Sequence, residues 1–163
     1  MKKLRYILLI FICLFAFSGC TGKEEKEEKK DNTDIKADYE LNKTFKFMTF
    51  EVTVKDKISI VTIKKDLSAD NNKKVIKLPV TVKNIGSDKN HLSMFYYKFY
   101  NSSLTELSSK GSNFDDSLDY ATDLKPGESY EKNFYIPYEG KGKYVIEFNN
   151  FSNKYNLVIN VDK

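Results

Sequence analysis

"VIKLPVTVKNIGSDKN", residues 75–90, decides the fold. Ile76, Leu78, Val80 and Val82 recur every second residue, with Lys77, Thr81 and Lys83 between them. In a strand successive side chains point to opposite faces, so one face is apolar and the other wet. The run stops at Asn84, where Gly86, Ser87, Asp88 and Asn90 form a turn cluster. That unit, a half-buried strand closed by a polar turn, repeats along the chain.

Upstream, "FKFMTFEVTV" places Met48, Phe50, Val52 and Val54 on one face. "ISIVTIKK" offers Ile58 and Ile60, then Val61 and Ile63, a change of face of the kind a β-bulge makes. "DLSADNNKK" is a loop. Downstream, "LSMFYYKFY" sets Phe95, Tyr97 and Phe99 against Met94, Tyr96 and Tyr100. "YEKNFYIP" turns Tyr130, Phe134 and Ile136 one way, and "KYVIEF" follows a hairpin at Gly140 and Gly142. "YNLVINV" presents Tyr155, Leu157, Ile159 and Val161 together. Residues 101–123 alternate little and are rich in Ser and Asp; they predict a long loop with one short strand near Tyr120. Seven or eight short strands separated by turn signals predict an all-β protein, an immunoglobulin-like two-sheet sandwich. A closed barrel is the alternative. The cysteine pair and core tryptophan of antibody domains are absent.

The N-terminus has a different character. Lys2, Lys3 and Arg5 precede a charge-free apolar run from Tyr6 to Phe17. A spanning helix needs about 20 such residues, a signal-peptide core roughly 7–15. The run ends in Phe17-Ser18-Gly19-Cys20. This resembles the lipobox of bacterial lipoproteins, usually Leu-(Ala/Ser)-(Gly/Ala)-Cys, from which Phe17 departs. The resemblance implies that the Cys20 thiol receives a diacylglyceryl group, that residues 1–19 are removed, and that the chain is held on the outer face of the cell membrane. A thiolate suits thioether formation, and two acyl chains hold where one binds only marginally.

Residues 20–38 are then the acylated cysteine and a charged tether. They contain one aliphatic side chain larger than alanine, Ile35, too little to repay ordering. Residues 39–163 suffice for one domain. The only cysteines are Cys13 and Cys20, so that domain has no disulfide and must be held by its core. Loss of Lys2, Lys3 and Arg5 takes 27 basic residues to 24, against 23 acidic. Such a balance excludes a nucleic-acid footprint.

Three stretches, "VTVKNIGSDKN" at 80–90, "LKPGESYEKNFYIP" at 124–137 and "KYVIEF" at 143–148, together resemble the DUF4352-type immunoglobulin-like domains of Gram-positive surface lipoproteins. The resemblance covers about residues 45–162. It implies fold and location and transfers no catalytic residue. The Asn-x-Gly step at Asn84 and Gly86, and Pro126-Gly127, read as turns using positive φ.

Candidate chemistry is sparse. The single histidine, His91, has no cysteine to share a zinc site, and reads as a solvated loop residue. No Gly-x-Ser-x-Gly elbow, phosphate-binding glycine loop or His-Glu-x-x-His pattern occurs. The expectation is a non-enzymatic protein without a cofactor. Asp115, Asp116, Asp119 and Asp123 offer oxygen ligands of the type calcium takes, though without EF-hand spacing. A solvated polar loop is the competing reading. Tyrosine is abundant, and adjacent residues on a strand face opposite ways. Tyr97 and Tyr135 are therefore candidates for an outward row that contacts a protein or wall polymer. Tyr97, Tyr135, Asp115, Asp116 and Asp119 are the candidate partner-binding residues. The expected function is a surface interaction module; the alternatives are a lipoprotein that protects the cell against a bacteriocin or phage, and an accessory subunit of an envelope complex.

Overall fold

The computed structural model describes residues 35–162; residues 1–19, most of the tether, and Cys20 lie outside them. Among the described residues nine strands form two antiparallel sheets. In the first, β4 (Lys74–Asn84) is central. β7 (Ser129–Pro137) pairs along one side of it. On the other side lie β3 (Ser59–Thr62) and, end to end with it, β2 (Phe50–Val54), with β1 (Thr44–Phe47) outside β2. The second sheet runs in the order β6 (Glu106–Leu107), β5 (Tyr97–Tyr100), β8 (Gly142–Asn149), β9 (Lys154–Val161). This is the expected sandwich. Two extra strands arise because Met48 and Thr49 break the first run into a tight hairpin, and because β6 is only two residues long.

Period-two alternation builds the core. Ile76, Leu78, Val80 and Val82 of β4 are all buried, as are Phe134 and Ile136 of β7 and Leu157, Ile159 and Val161 of β9. Aromatic rings fill the space between the sheets. Phe148 lies edge-on to Phe45 and Phe134, with centroids 5.1 and 6.4 Å apart, and meets Phe47 at 5.5 Å. Residues 35–38, assigned to the tether, already touch the domain. The Asp38 amide donates to the Asn156 carbonyl, and the Asn156 amide donates to the Asp38 carboxylate.

Several local expectations are corrected. Met48 does not line the core; it sits at the hairpin with φ +55°, in the left-handed region. Phe95 is not paired in a strand, because Met94–Tyr96 is a 3-10 turn opened by the Ser93 hydroxyl, which accepts from the Phe95 amide. Tyr120 likewise lies in a 3-10 turn, Leu118–Tyr120. No bulge is needed in β3: its register with β4 is continuous. Ile60 packs on the main core, while Val61 and Ile63 pack on a second apolar cluster with Val75 and Tyr135, on the outer face of the first sheet.

The turns are legible in chemical terms. Gly127 takes φ +83°, as the Pro-Gly turn requires. Asn84, however, does not use positive φ. Its buried side chain donates to the Asp88 and Leu124 carbonyls at 2.7 and 2.8 Å and accepts from the Gly86 amide at 2.9 Å. One amide thus ties three backbone groups around the turn, of which the Leu124 carbonyl also accepts from the Asn90 amide at 3.0 Å.

Candidate functional site

Two features stand outside the sheets: a strap at residues 108–120 and an open cleft beneath it. The strap leaves β6, crosses the exposed edge of β7 and returns. The Lys110 amide donates to the Tyr135 carbonyl at 2.9 Å, and the Asn133 amide donates to the Asp116 carbonyl at 3.0 Å. An edge strand with open backbone groups invites pairing with another chain, and covering it removes that hazard. Phe114 crosses onto the outer sheet face and stacks on Tyr135, centroids 3.7 Å apart and planes 4° from parallel. Leu118 then re-enters the main core.

This arrangement brings four of the five candidate residues together in pairs. The Tyr135 hydroxyl donates to Asp116 Oδ1 at 2.6 Å. Lys77 and the Asn133 side-chain amide donate to Asp116 Oδ2 at 2.8 and 2.9 Å. The Tyr97 hydroxyl donates to Asp119 Oδ1 at 2.8 Å, and Ser109 donates to Asp119 Oδ2 at 2.7 Å. Asp115 stands apart, exposed, with its carbonyl accepting from Lys132 at 3.5 Å.

The outward tyrosine row is not formed. Tyr97 is 5% exposed and Tyr135 2%. Tyr97 points into the sandwich, against Phe99 and Phe134. Tyr135 does face away from Phe134, as strand geometry demands, but the strap covers that face. Their phenols show it. Burial, with the Asp116 hydrogen bond second, pushes Tyr135 up to about 12. Burial raises Tyr97 further still, with the Asp119 charge adding to it. Burial acts upward on Asp116 too, but the Lys77 and Tyr135 hydrogen bonds outweigh it and leave its carboxyl below the ordinary value.

The acidic cluster is also dispersed. Asp123 pairs with His91, Nδ1 to Oδ1 2.7 Å, and with Lys89 at 3.5 Å. Hydrogen bonding from His91 holds the Asp123 carboxyl below its usual range. Among the described residues no three His, Cys, Asp or Glu side chains are grouped as a metal ion would need. What the sequence did not reveal is Gly111. A Cβ there would overlap Ser117 Oγ and Asp119 Oδ2, so the strap can close only over a glycine.

The cleft, about 620 Å³, opens at the end of the sandwich where β4 begins and β7 finishes. Lys73, Lys74 and Lys110 line it with Glu106, Tyr138 and Glu139. Asp70 holds Lys73 and Lys110 at 2.9 and 3.1 Å, and those two ammonium groups keep its carboxyl low. Its residues come from three separated stretches of sequence, so no local motif announces it.

No family model matches the chain. Solved structures do. The yjhA protein of Bacillus subtilis aligns over 76% of this chain and 99% of its own, at 16% identity and a TM-score of 0.56. A candidate lipoprotein of the same organism, ycdA, aligns over 74% of this chain at 18% identity and a TM-score of 0.58; this chain spans 39% of its length. An uncharacterized β-sandwich protein of Clostridium difficile 630 aligns over 77% of this chain and 96% of its own, at 18% identity and a TM-score of 0.52. At these identities the likeness establishes the fold alone.

Proposed function

We propose that this protein is a lipid-anchored surface module, held on the outer face of a Gram-positive cell membrane through Cys20, that binds a protein or wall polymer without catalysing a reaction. The DUF4352-type affiliation belongs to the same proposal. The observation that carries the binding role is the open, lysine-rich cleft formed by residues 73–75, 106–110 and 137–139. It is concave, and it mixes an apolar floor from Val75, Leu107 and Pro137 with charged walls, the composition expected of a site that orients a ligand. The location is supported by the lipobox-like Phe17-Ser18-Gly19-Cys20 and by the candidate lipoprotein among the structures of the same fold.

Two measurements test this reading. A photo-crosslinking amino acid at Tyr138 should give a discrete adduct in intact cells that the same group at the exposed Leu67 does not give. The adduct should weaken when Lys73 and Lys74 are both changed to Glu. Equal crosslinking at both positions, or none, overturns the cleft as a binding site. Radiolabelled palmitate should enter the parent chain and not Cys20→Ala; equal labelling overturns the anchor.

A further inference from the structure

The end of the sandwich opposite the cleft is apolar. Met48, Ile85, Met94, Phe95 and Phe151 are large apolar side chains left in water there; Phe95 is 77% exposed and Phe151 79%. They come from four turns that the topology gathers. The 48–49 hairpin meets the end of β4, with the Ile85 amide donating to the Thr49 carbonyl at 2.8 Å. Tyr96 bridges to both neighbours, its ring 6.4 Å from Phe47 and 5.6 Å from Phe151. Phe95 and Met94 continue the same 3-10 turn. Single exposed apolar residues are ordinary, but a contiguous patch marks a contact surface.

We infer that this end inserts its apolar side chains into the interface of the lipid bilayer to which the chain is anchored. The inference rests on the anchored reading of Cys20. Residues 21–34 separate that cysteine from Ile35. A coil of that length has a mean reach of about 20 Å and a limit of about 50 Å. Ile35 lies beside Tyr100, Leu104, Val145 and Asn156, near the middle of the second sheet. From there to the apolar end is about 20 Å at the rise of a strand. The anchor therefore leaves this end within reach of the bilayer, and a weak interaction per side chain suffices once association is intramolecular.

The reach of the anchor favours lipid over a protein partner. Met48, Ile85 and Phe151 stand exposed on turns, which suits shallow burial at the headgroup–acyl boundary, while Met94 and Phe95 also line a cleft with Leu107, Ser109 and Ser112. The rim carries both signs: Lys46, Lys83 and Lys154 together with Glu51 and Asp88. Insertion should therefore be driven by apolar burial and depend little on salt. It also turns the lysine-rich cleft away from the membrane, toward the cell exterior.

The test uses the full chain in vesicles of phosphatidylglycerol and phosphatidylethanolamine that contain a diazirine-bearing phospholipid. After illumination, adducts are mapped by mass spectrometry. Adducts should concentrate on residues 45–50, 92–97 and 149–153, persist in high salt, be absent from 64–73 and 137–141 at the opposite end, and fall several-fold in Phe95→Ser/Phe151→Ser. Adducts spread evenly, or absent from the three turns, overturn the inference. Palmitate incorporation is scored in parallel. A chain that takes up palmitate but shows no adducts at the turns keeps its anchor and loses this inference. A chain that takes up no palmitate is mixed with excess vesicles; adducts at the turns still support the inference, and their absence overturns it. Turns protected in cells by a crosslinked protein, with no lipid adducts, assign the patch to a protein and also overturn it.

Discussion

The strap at 108–120 and the apolar turns at 48–49, 85, 94–95 and 151 are both irregular segments, yet they are opposites. The strap is rich in Ser and Asp, yet it spends its key side chains on the fold: Phe114 lies on Tyr135, Leu118 enters the core, and Asp116 and Asp119 are bonded to phenols, a lysine and a serine. The turns carry the greasier residues and leave them in water. Polarity in the strap therefore serves the fold, and apolarity in the turns is what remains for the outside. Residue type alone suggests the reverse assignment.

The sharpest way to break the contrast is Gly111→Ala. The added methyl collides with Ser117 and Asp119 and should cost about 3 kcal/mol in chemical denaturation, in the range of overpacked sites. A loss below about 0.5 kcal/mol would mean the strap is loose. Next is Asp119→Ala, which strands the buried Tyr97 hydroxyl. An unpaired buried donor costs about 1–3 kcal/mol, and Tyr97→Phe in the same chain should recover most of it.

Asp116 and Tyr135 give the strap a pH window. The Asp116 carboxyl is lowered on folding, so its contribution is complete above the unfolded value of about 3.9 and is lost as pH falls through the folded one. The Tyr135 phenol is raised to about 12, so its contribution is complete below the unfolded value of about 10 and fades as pH rises toward 12. Thermal midpoints should fall at both extremes. Asp116→Asn should flatten the acid limb; an unchanged limb would assign the acid loss to other carboxylates. The smallest effect belongs to the turns: Phe95→Ser and Phe151→Ser should each change stability by under about 0.5 kcal/mol, since each ring is already largely exposed. A large loss would make them part of the core rather than a contact surface.

How much was legible follows from the physics of each element. β4 and β9 could be read outright, because alternation over many residues has one reading. β6 could not, since two residues carry no period. Val61 and Ile63 looked like a change of face because that stretch is apolar on both sides, and only the strap explains the outer one. For Tyr135 the direction was readable, but its cover was not: Phe114 reaches it through a crossing that no local pattern encodes. Asn84 was recognised as a turn residue for its φ tolerance, whereas its work is done by its side chain. The cleft and the apolar end are assembled from separated turns and required the topology.

Amide hydrogen exchange on the full chain, in detergent-free solution and on membranes, tests the central contrast most directly. The account predicts that the Lys110 amide of the strap and the Asn133 amide of β7, bonded to each other's segments across the β7 edge, exchange slowly in both states, while amides of residues 47–50, 92–97 and 149–153 slow only on membranes. Fast exchange in the strap that becomes slow on membranes, with those turns unchanged, would contradict it.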